Sequence, residues 1–345
     1  MNNKIHIDFL TFGGRFIGTG HLFRCLAISE WLKLVNRNNN LIISFYLYGC
    51  DEDSIKISKR IISDVSDSKV EVVNDRNLYN RQWEIVIVDL LNAPYSVMKH
   101  LSCTANVVAS IDNISGSRNF SDIAVNPLYY DIDESSNNEK SKIKYDYIGP
   151  KYQIITPKYQ KYKTSWREEV TNILIIQGGA DPYNTAVKIF QDVYEILSKN
   201  DRVKLHVVSG PASEEVETDL LSVNTDRVFF YRNIKNIDSF LLGIDVAISS
   251  IGITAFEIAS MGIPSIHVTA IKKEIKTGEV LDRLGSSVLL GLYNELESKE
   301  ILGKLEFLIN NKSYRKKMRD FALKNFNSNN TKLIINSIFD LYGKF

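Results

Sequence analysis

Short apolar runs alternate with helical periodicity along the whole chain. In the first half the runs are Ile5–Leu10, Leu41–Leu47, Val70–Val73, Ile85–Val88, Asn106–Ile111 and Ile123–Val125. Most are continuous rather than alternating, the pattern of strands buried on both faces. Helical spacing fills His21–Leu34, which reads as amphipathic, and Asp53–Val65. A second series runs strand Ile173–Gln177, helix Thr185–Ser198, strand Lys204–Val208, helix Ser213–Val223, strand Val228–Tyr231 and helix Ile237–Leu242. It continues with strand Val246–Ser249, helix Ile253–Ser260, strand Ser265–Val268 and a helix around Val280–Leu284. Such alternation predicts parallel sheets covered by helices, an α/β fold.

Between the two series, Tyr129–Arg167 breaks the rhythm. It holds the polar run Asp133-Glu134-Ser135-Ser136-Asn137-Asn138-Glu139-Lys140, read as an exposed loop, then Gly149-Pro150 and a Lys/Tyr-rich connection from about Pro157 to Arg167. The expected organisation is two Rossmann-like, doubly wound domains, 1–156 and 168–328, facing each other across a cleft. A last helix over 329–345, with Leu333, Ile334, Ile338 and Leu341 on one side, is expected to pack back across them.

Composition narrows the class. A chain of 345 residues exceeds one typical core. Its 44% hydrophobic and 24% charged content is that of a soluble globular protein. A net charge of +1 gives no electrostatic case for nucleic acid or a membrane surface. The three cysteines, Cys25, Cys50 and Cys103, form no C-x-x-C pair, which fits a reduced compartment better than a disulfide framework or a zinc site. No apolar stretch approaches the ~20 residues of a membrane span. The first residues carry charges inside their apolar run, unlike a secretory signal, so a cytoplasmic protein is expected.

Three constellations carry chemistry. The first is Gly18-Thr19-Gly20-His21, after a strand and a glycine-bearing loop and at the start of a helix. Free N–H groups and the helix dipole favour an anion there, and a neutral imidazole is a base suited to pH 7. The run is no P-loop, since Thr19-Gly20 stands where Lys-Ser/Thr is required. Nor is it a dinucleotide fingerprint, because Phe23 takes the third glycine position. A capping or core histidine is the plainer reading of His21, and a surface salt bridge that of Arg24, one turn on, which otherwise meets a phosphate or carboxylate.

The second constellation is Gln177-Gly178-Gly179-Ala180-Asp181-Pro182, between a strand and a helix. Its glycines permit backbone contact with phosphate, and Asp181-Pro182 begins a turn or N-cap. The third is Ser249–Pro264: Ser250, Ile251, Gly252 and Thr254 offer N–H and O–H donors ahead of a helix apolar on nearly every side except Glu257. A carboxylate in such a helix needs a cation or a bidentate diol such as ribose.

Together these motifs resemble the UDP-sugar hydrolases of pseudaminic acid biosynthesis and the spore-coat polysaccharide proteins related to them. Ile17-Gly18-Thr19-Gly20-His21-x-x-Arg24-Cys25-Leu26 is similar to the N-terminal signature, Gly178-Gly179-x-Asp181 to the mid-chain element, and Ser249–Pro264 to the nucleotide-binding helix. Val88-Asp89, Ile111-Asp112-Asn113 and Asn126-Pro127 are weaker echoes. The resemblance implies a GT-B fold and a nucleotide-sugar substrate. His21 would be the general base that activates water, attack inverting the anomeric carbon and releasing the free sugar and the nucleoside diphosphate. Gly18, Gly20, Arg24, Gly178, Gly179 and Asp181 would bind substrate. Ser250, Ile251, Gly252 and Thr254 would hold the diphosphate and nucleoside, with Glu257 on the ribose. It implies no metal or other cofactor. The same scaffold serves inverting glycosyltransferases, in which the base deprotonates an acceptor hydroxyl. Two positions depart from the pattern: Leu10-Thr11-Phe12 stands where an Arg-x-Asp is frequent, and Thr269–Glu274 lacks the usual Asn-Gln pair.

Overall fold

The computed structural model describes residues 4–14, 18–36, 38, 40–128, 140–162, 164–213 and 226–343. The expected polar loop over Asp133–Glu139, the expected helix over most of Ser213–Val223, and Ile17 of the first motif lie outside them. The chain forms two compact units, Met1–Pro157 with Ser328–Phe345, and Lys158–Asn327.

The first unit runs β1 (Ile5–Thr11), α1 (Gly20–Val35), β2 (Leu41–Tyr48), α2 (Glu52–Val65), β3 (Lys69–Val73), α3 (Asp75–Tyr79), β4 (Trp83–Asp89), α4 (Tyr95–Thr104), β5 (Ala105–Ile111), β6 (Ile123–Asn126) and β7 (Tyr145–Ile148). All seven strands are parallel, in the order β3-β2-β1-β4-β5-β6-β7. The order reverses between β1 and β4, the position at which ligands bind in doubly wound sheets. Alternate residues of β1 serve opposite faces. Ile7 and Phe9 pack with α1 and α2, whereas Leu10 joins Val86, Leu78, Val97 and Met98. Each such side chain taken from water contributes about 1.5–3 kcal/mol.

The second unit runs β8 (Asn172–Ile176), α5 (Thr185–Val193), α6 (Ile196–Lys199), β9 (Lys204–Ser209), β10 (Val228–Arg232), α7 (Ile237–Leu241), β11 (Val246–Ser249), α8 (Ile253–Ser260), β12 (Ser265–Thr269), α9 (Ile275–Arg283), β13 (Val288–Leu292), α10 (Ser298–Asn310) and α11 (Lys312–Asn325). Its six strands are again parallel, in the order β10-β9-β8-β11-β12-β13, with the reversal between β8 and β11. The last helix, α12 (Asn329–Tyr342), belongs to the first unit.

Three expectations change. α1 is not amphipathic: Leu22, Cys25, Leu26, Ala27, Ile28, Trp31 and Leu32 are buried, and so is Arg24. On α12, Leu333 lies 47% exposed, and Ile334, Ile335, Ile338 and Phe339 enter the core instead. The irregular stretch ahead of the expected connection holds a strand, β7, whose Tyr145 and Ile148 are exposed at the sheet edge, so it lacks the apolar run of a buried strand.

Candidate functional site

In the first unit, β1 delivers the chain to a glycine loop closed by Gly14 and Gly18, whose N–H and C=O groups pair in both directions at 3.0 and 2.9 Å. Gly18 has φ +89°, a conformation that favours glycine. Gly20 then opens α1, with Thr19 as its N-cap providing no side-chain bond and no acidic residue in the first turn. His21 is therefore held at the positive end of a buried helix, its side chain 11% exposed.

Strand order brings two distant carboxylates to it. Asp89 ends β4, next to β1, and is fully buried. Its Oδ1 lies 2.6 Å from His21 Nδ1. Arg24, one turn after His21, grips the same carboxylate with Nε to Oδ2 at 2.7 Å and Nη2 to Oδ1 at 2.5 Å. The same Nη2 donates to Asp112 Oδ2 at 3.1 Å, just past the end of β5. Burial alone would raise the Asp89 pKa, but Arg24 and His21 outweigh it and hold this carboxyl below its ordinary value. Burial likewise works against the charge on Arg24, and Asp89 and Asp112 reverse it, raising its pKa.

The tautomer of His21 follows from this network. A lone pair on Nδ1 facing a carboxylate oxygen at 2.6 Å would be repulsive, so Nδ1 carries the proton and donates to Asp89. The 3.0 Å approach of Arg24 Nη2 to Nδ1 is then proximity within the cluster, not donation. In the neutral ring this puts the lone pair on Nε2. The ring packs on Phe12 at 4.6 Å between centroids, which fixes its tilt. Arg24 is 2% exposed and committed to two carboxylates of its own unit, so its guanidinium meets those rather than a phosphate.

In the second unit the other motifs also fall at the sheet's reversal point. Gln177, Gly178 and Gly179 follow β8, and Ser250, Ile251 and Gly252 follow β11. Gly178 has φ +79°. A Cβ on Gly210 would lie 2.4 Å from the backbone of Gly179, so the bare backbone at 210 lets the two loops touch. Gly252, in extended conformation, is the N-cap of α8 and supplies no side-chain oxygen to the first-turn N–H groups of Ile253 and Thr254. These, with the hydroxyls of Ser250 and Thr254, form a donor surface suited to an anion.

Two of the expected ligand contacts have another partner here. Both oxygens of Asp181 are occupied, accepting from Thr185 N at 2.8 Å and Ala186 N at 2.9 Å, so the carboxylate caps α5. Ile251 N donates to Glu274 Oε2 at 3.4 Å, an oxygen that Thr269 Oγ1 also reaches. Glu257 is half-buried on α8. Burial raises its pKa to about 7, against a hydrogen bond from Tyr159, and the charge of Asp238 adds to the rise. Glu274 is likewise pushed by burial to about 7. Sequence reasoning missed Glu274 and Tyr159 and gave Asp89 and Asp112 only as faint echoes. An acidic residue directly after an apolar strand of a parallel sheet was the available signal.

Among the described residues no helix is long and apolar enough to cross a membrane. No family model matches the chain. An uncharacterized protein of Methanocaldococcus jannaschii is 30% identical over 286 residues, a match taking in 75% of this chain and 54% of that protein, so the chain spans about half the length of this relative. The spore coat polysaccharide biosynthesis protein SpsG of Bacillus subtilis is 22% identical over 299 residues, 84% of each chain. Among solved structures, Acinetobacter baumannii MurG superposes with a TM-score of 0.63 at 13% identity, over 97% of this chain and 99% of that one. The UDP-GlcNAc 2-epimerase of Neisseria meningitidis bound to UDP-GlcNAc gives 0.61 at 14% identity, over 98% and 100%. The chain has the GT-B fold of these enzymes and is a low-identity homologue of SpsG.

Proposed function

We propose that the protein is a nucleotide-sugar hydrolase, with a UDP-sugar as substrate, that releases a free amino- or deoxysugar for surface-glycan synthesis. The observation that carries this reading is the 2.6 Å contact of His21 Nδ1 with the buried Asp89, which leaves Nε2 as a base at the reversal point of the first sheet. Support for the substrate class comes from the donor surface at the start of α8, from the fold shared with an epimerase holding UDP-GlcNAc, and from the polysaccharide role in the name of SpsG.

In this mechanism Nε2 takes a proton from water as the water oxygen bonds to the anomeric carbon. The bond from that carbon to the β-phosphate oxygen breaks, and the nucleoside diphosphate leaves with the electron pair. The sugar is released with inverted configuration. Asp89 stabilises the imidazolium that forms, as an ionised carboxylate bonded to the opposite nitrogen does. Backbone N–H groups of Gly178, Gly179, Gly252, Ile253 and Thr254, with the Ser250 hydroxyl, meet the charge on the departing diphosphate. Ile251 closes that loop, Glu257 takes the ribose hydroxyls, and Gly18 and Gly20 shape the backbone beside the base.

The test is incubation of the protein with a panel of UDP-, GDP- and CMP-sugars while nucleotide release is followed without any acceptor. Release that His21→Ala lowers by ~10²-fold or more is the expected result. Turnover only when an acceptor alcohol is added would replace hydrolysis with glycosyl transfer on the same scaffold.

A further inference from the structure

Asp112 combines two features that the proposed hydrolysis does not use. Its backbone sits at φ +59°, in the left-handed region that aspartate enters more readily than most residues bearing a Cβ. Hydrogen bonds around it hold it there. Asp112 N donates to Val125 O at 2.8 Å, tying the turn to β6, and Asn126 Nδ2 donates to Asn113 O at 3.0 Å. Asn113 is in turn bonded to Ser115 and Ser117. The turn is thus held by a polar network.

That turn aims the carboxylate at the cluster around His21. One oxygen, Oδ2, accepts from Arg24 Nη2 at 3.1 Å. The other, Oδ1, is buried in a residue only 4% exposed and has no hydrogen-bond partner among the described residues. A buried carboxylate oxygen without a donor is costly, and native structures retain one where something else completes it. The donors beside it are aimed elsewhere: Arg24 donates through Nε and Nη2 to Asp89 and to Oδ2, and the His21 proton on Nδ1 points to Asp89. The acceptor left over on Oδ1 suits a donor such as a hydroxyl or an amine.

We infer that Asp112 is a specificity-determining residue, its Oδ1 accepting a hydrogen bond from a hydroxyl of the sugar presented to His21. This rests on the nucleotide-sugar reading. Selection by such a group is strong because a ligand lacking the hydroxyl leaves the carboxylate oxygen unpartnered on binding.

The experiment is isothermal titration of the full chain with UDP and with UDP-glucose, UDP-galactose, UDP-N-acetylglucosamine and UDP-N-acetylgalactosamine. It is done in a His21→Gln background so that turnover does not consume the probes. Asp112→Ala and Asp112→Asn are compared with Asp112 in that same background, and thermal unfolding shows that each variant is folded. At least one sugar nucleotide is expected to bind more tightly than UDP. Asp112→Ala weakens that ligand about 10- to 100-fold, the range for a hydrogen bond to a charged group, and leaves UDP within about twofold. Asp112→Asn, which keeps an acceptor but not the charge, falls between. If UDP binds but no sugar nucleotide binds more tightly, or if Asp112→Ala weakens UDP and the sugar nucleotide equally, the Asp112 inference is overturned while the nucleotide reading stands. If neither UDP nor any sugar nucleotide binds, both fall together.

Discussion

Asp89→Asn separates orientation of His21 from its mere presence. The replacement keeps the shape of the side chain but puts an NH2 where one carboxylate oxygen stood. If that NH2 takes the Oδ1 position, it faces His21 Nδ1 and donates to it. The imidazole must then carry its proton on Nε2, the atom proposed to receive one, and the base is lost. If the NH2 takes the Oδ2 position, it opposes Arg24 Nε, now 2.7 Å from an acceptor, and a buried donor goes unsatisfied at about 1–3 kcal/mol. The amide meets Arg24 Nη2 at either position, since that group also contacts Oδ1. Turnover of whichever sugar nucleotide the panel identifies is expected to fall ~10²- to 10⁴-fold, the range for a histidine base forced into the wrong tautomer. KM should change little, because Asp89 is fully buried and in the proposed mechanism acts through His21.

Stability gives a second readout of the same change. Breaking a buried ion pair costs about 3–5 kcal/mol, reduced here because Arg24 keeps Asp112. The native pKa of Asp89 is depressed, so its contribution is fully present above the ordinary carboxyl value of 3.8 and is lost as pH falls through the lower folded value. Urea denaturation across acid pH should show that limb in the wild type and a flatter one in Asp89→Asn. Nitrogen-15 NMR of His21 reads the tautomer directly. An Asp89→Asn protein with turnover within about threefold of wild type, beside a His21→Ala protein that has lost ~10²-fold, would refute the orienting role.

Gly210→Ala should destabilise the second unit by about 1–3 kcal/mol and weaken UDP binding, because its Cβ would lie 2.4 Å from the Gly179 backbone. Melting and UDP titration check the two effects separately. Glu257 has a folded pKa raised from 4.5 to about 7, so its stabilising share is complete below 4.5 and is lost as pH rises through 7. Glu257→Gln should therefore gain stability on the wild type between pH ~5 and ~8, by about 1–2 kcal/mol once solvent screening is allowed for. Equal slopes of unfolding free energy against pH would contradict it. Arg315 is buried and donates to the carbonyls of Leu308, Ile309 and Glu168, closing the end of α10. Arg315→Lys cannot reproduce that fork and should cost about 2 kcal/mol in urea while leaving UDP affinity unchanged.

What the sequence disclosed follows the range over which each signal acts. Strands such as β1 and β4 announced themselves because both faces are buried, so their apolar runs are continuous. β7 did not, because an exposed edge strand has no such run. The reading of α1 as amphipathic failed because Arg24 looks like a solvent-facing cation until two carboxylates appear beside it. Those carboxylates lie 65 and 88 residues further along the chain, and nothing local in the sequence records that β1 sits beside β4 and β4 beside β5. His21 and Arg24, one turn apart, were visible as a motif. Their electrostatic meaning was not, because it is made by the sheet order. The same reasoning explains Glu257: the helix showed that its carboxylate needed a partner, and Tyr159, 98 positions earlier in the chain, supplies one. Motif reading thus finds the groups one helix presents, and pairing across a parallel sheet decides what those groups can do. In the first unit it turns a histidine with an arginine behind it into the oriented base proposed above, with one buried carboxylate oxygen of Asp112 lacking a donor among the described residues.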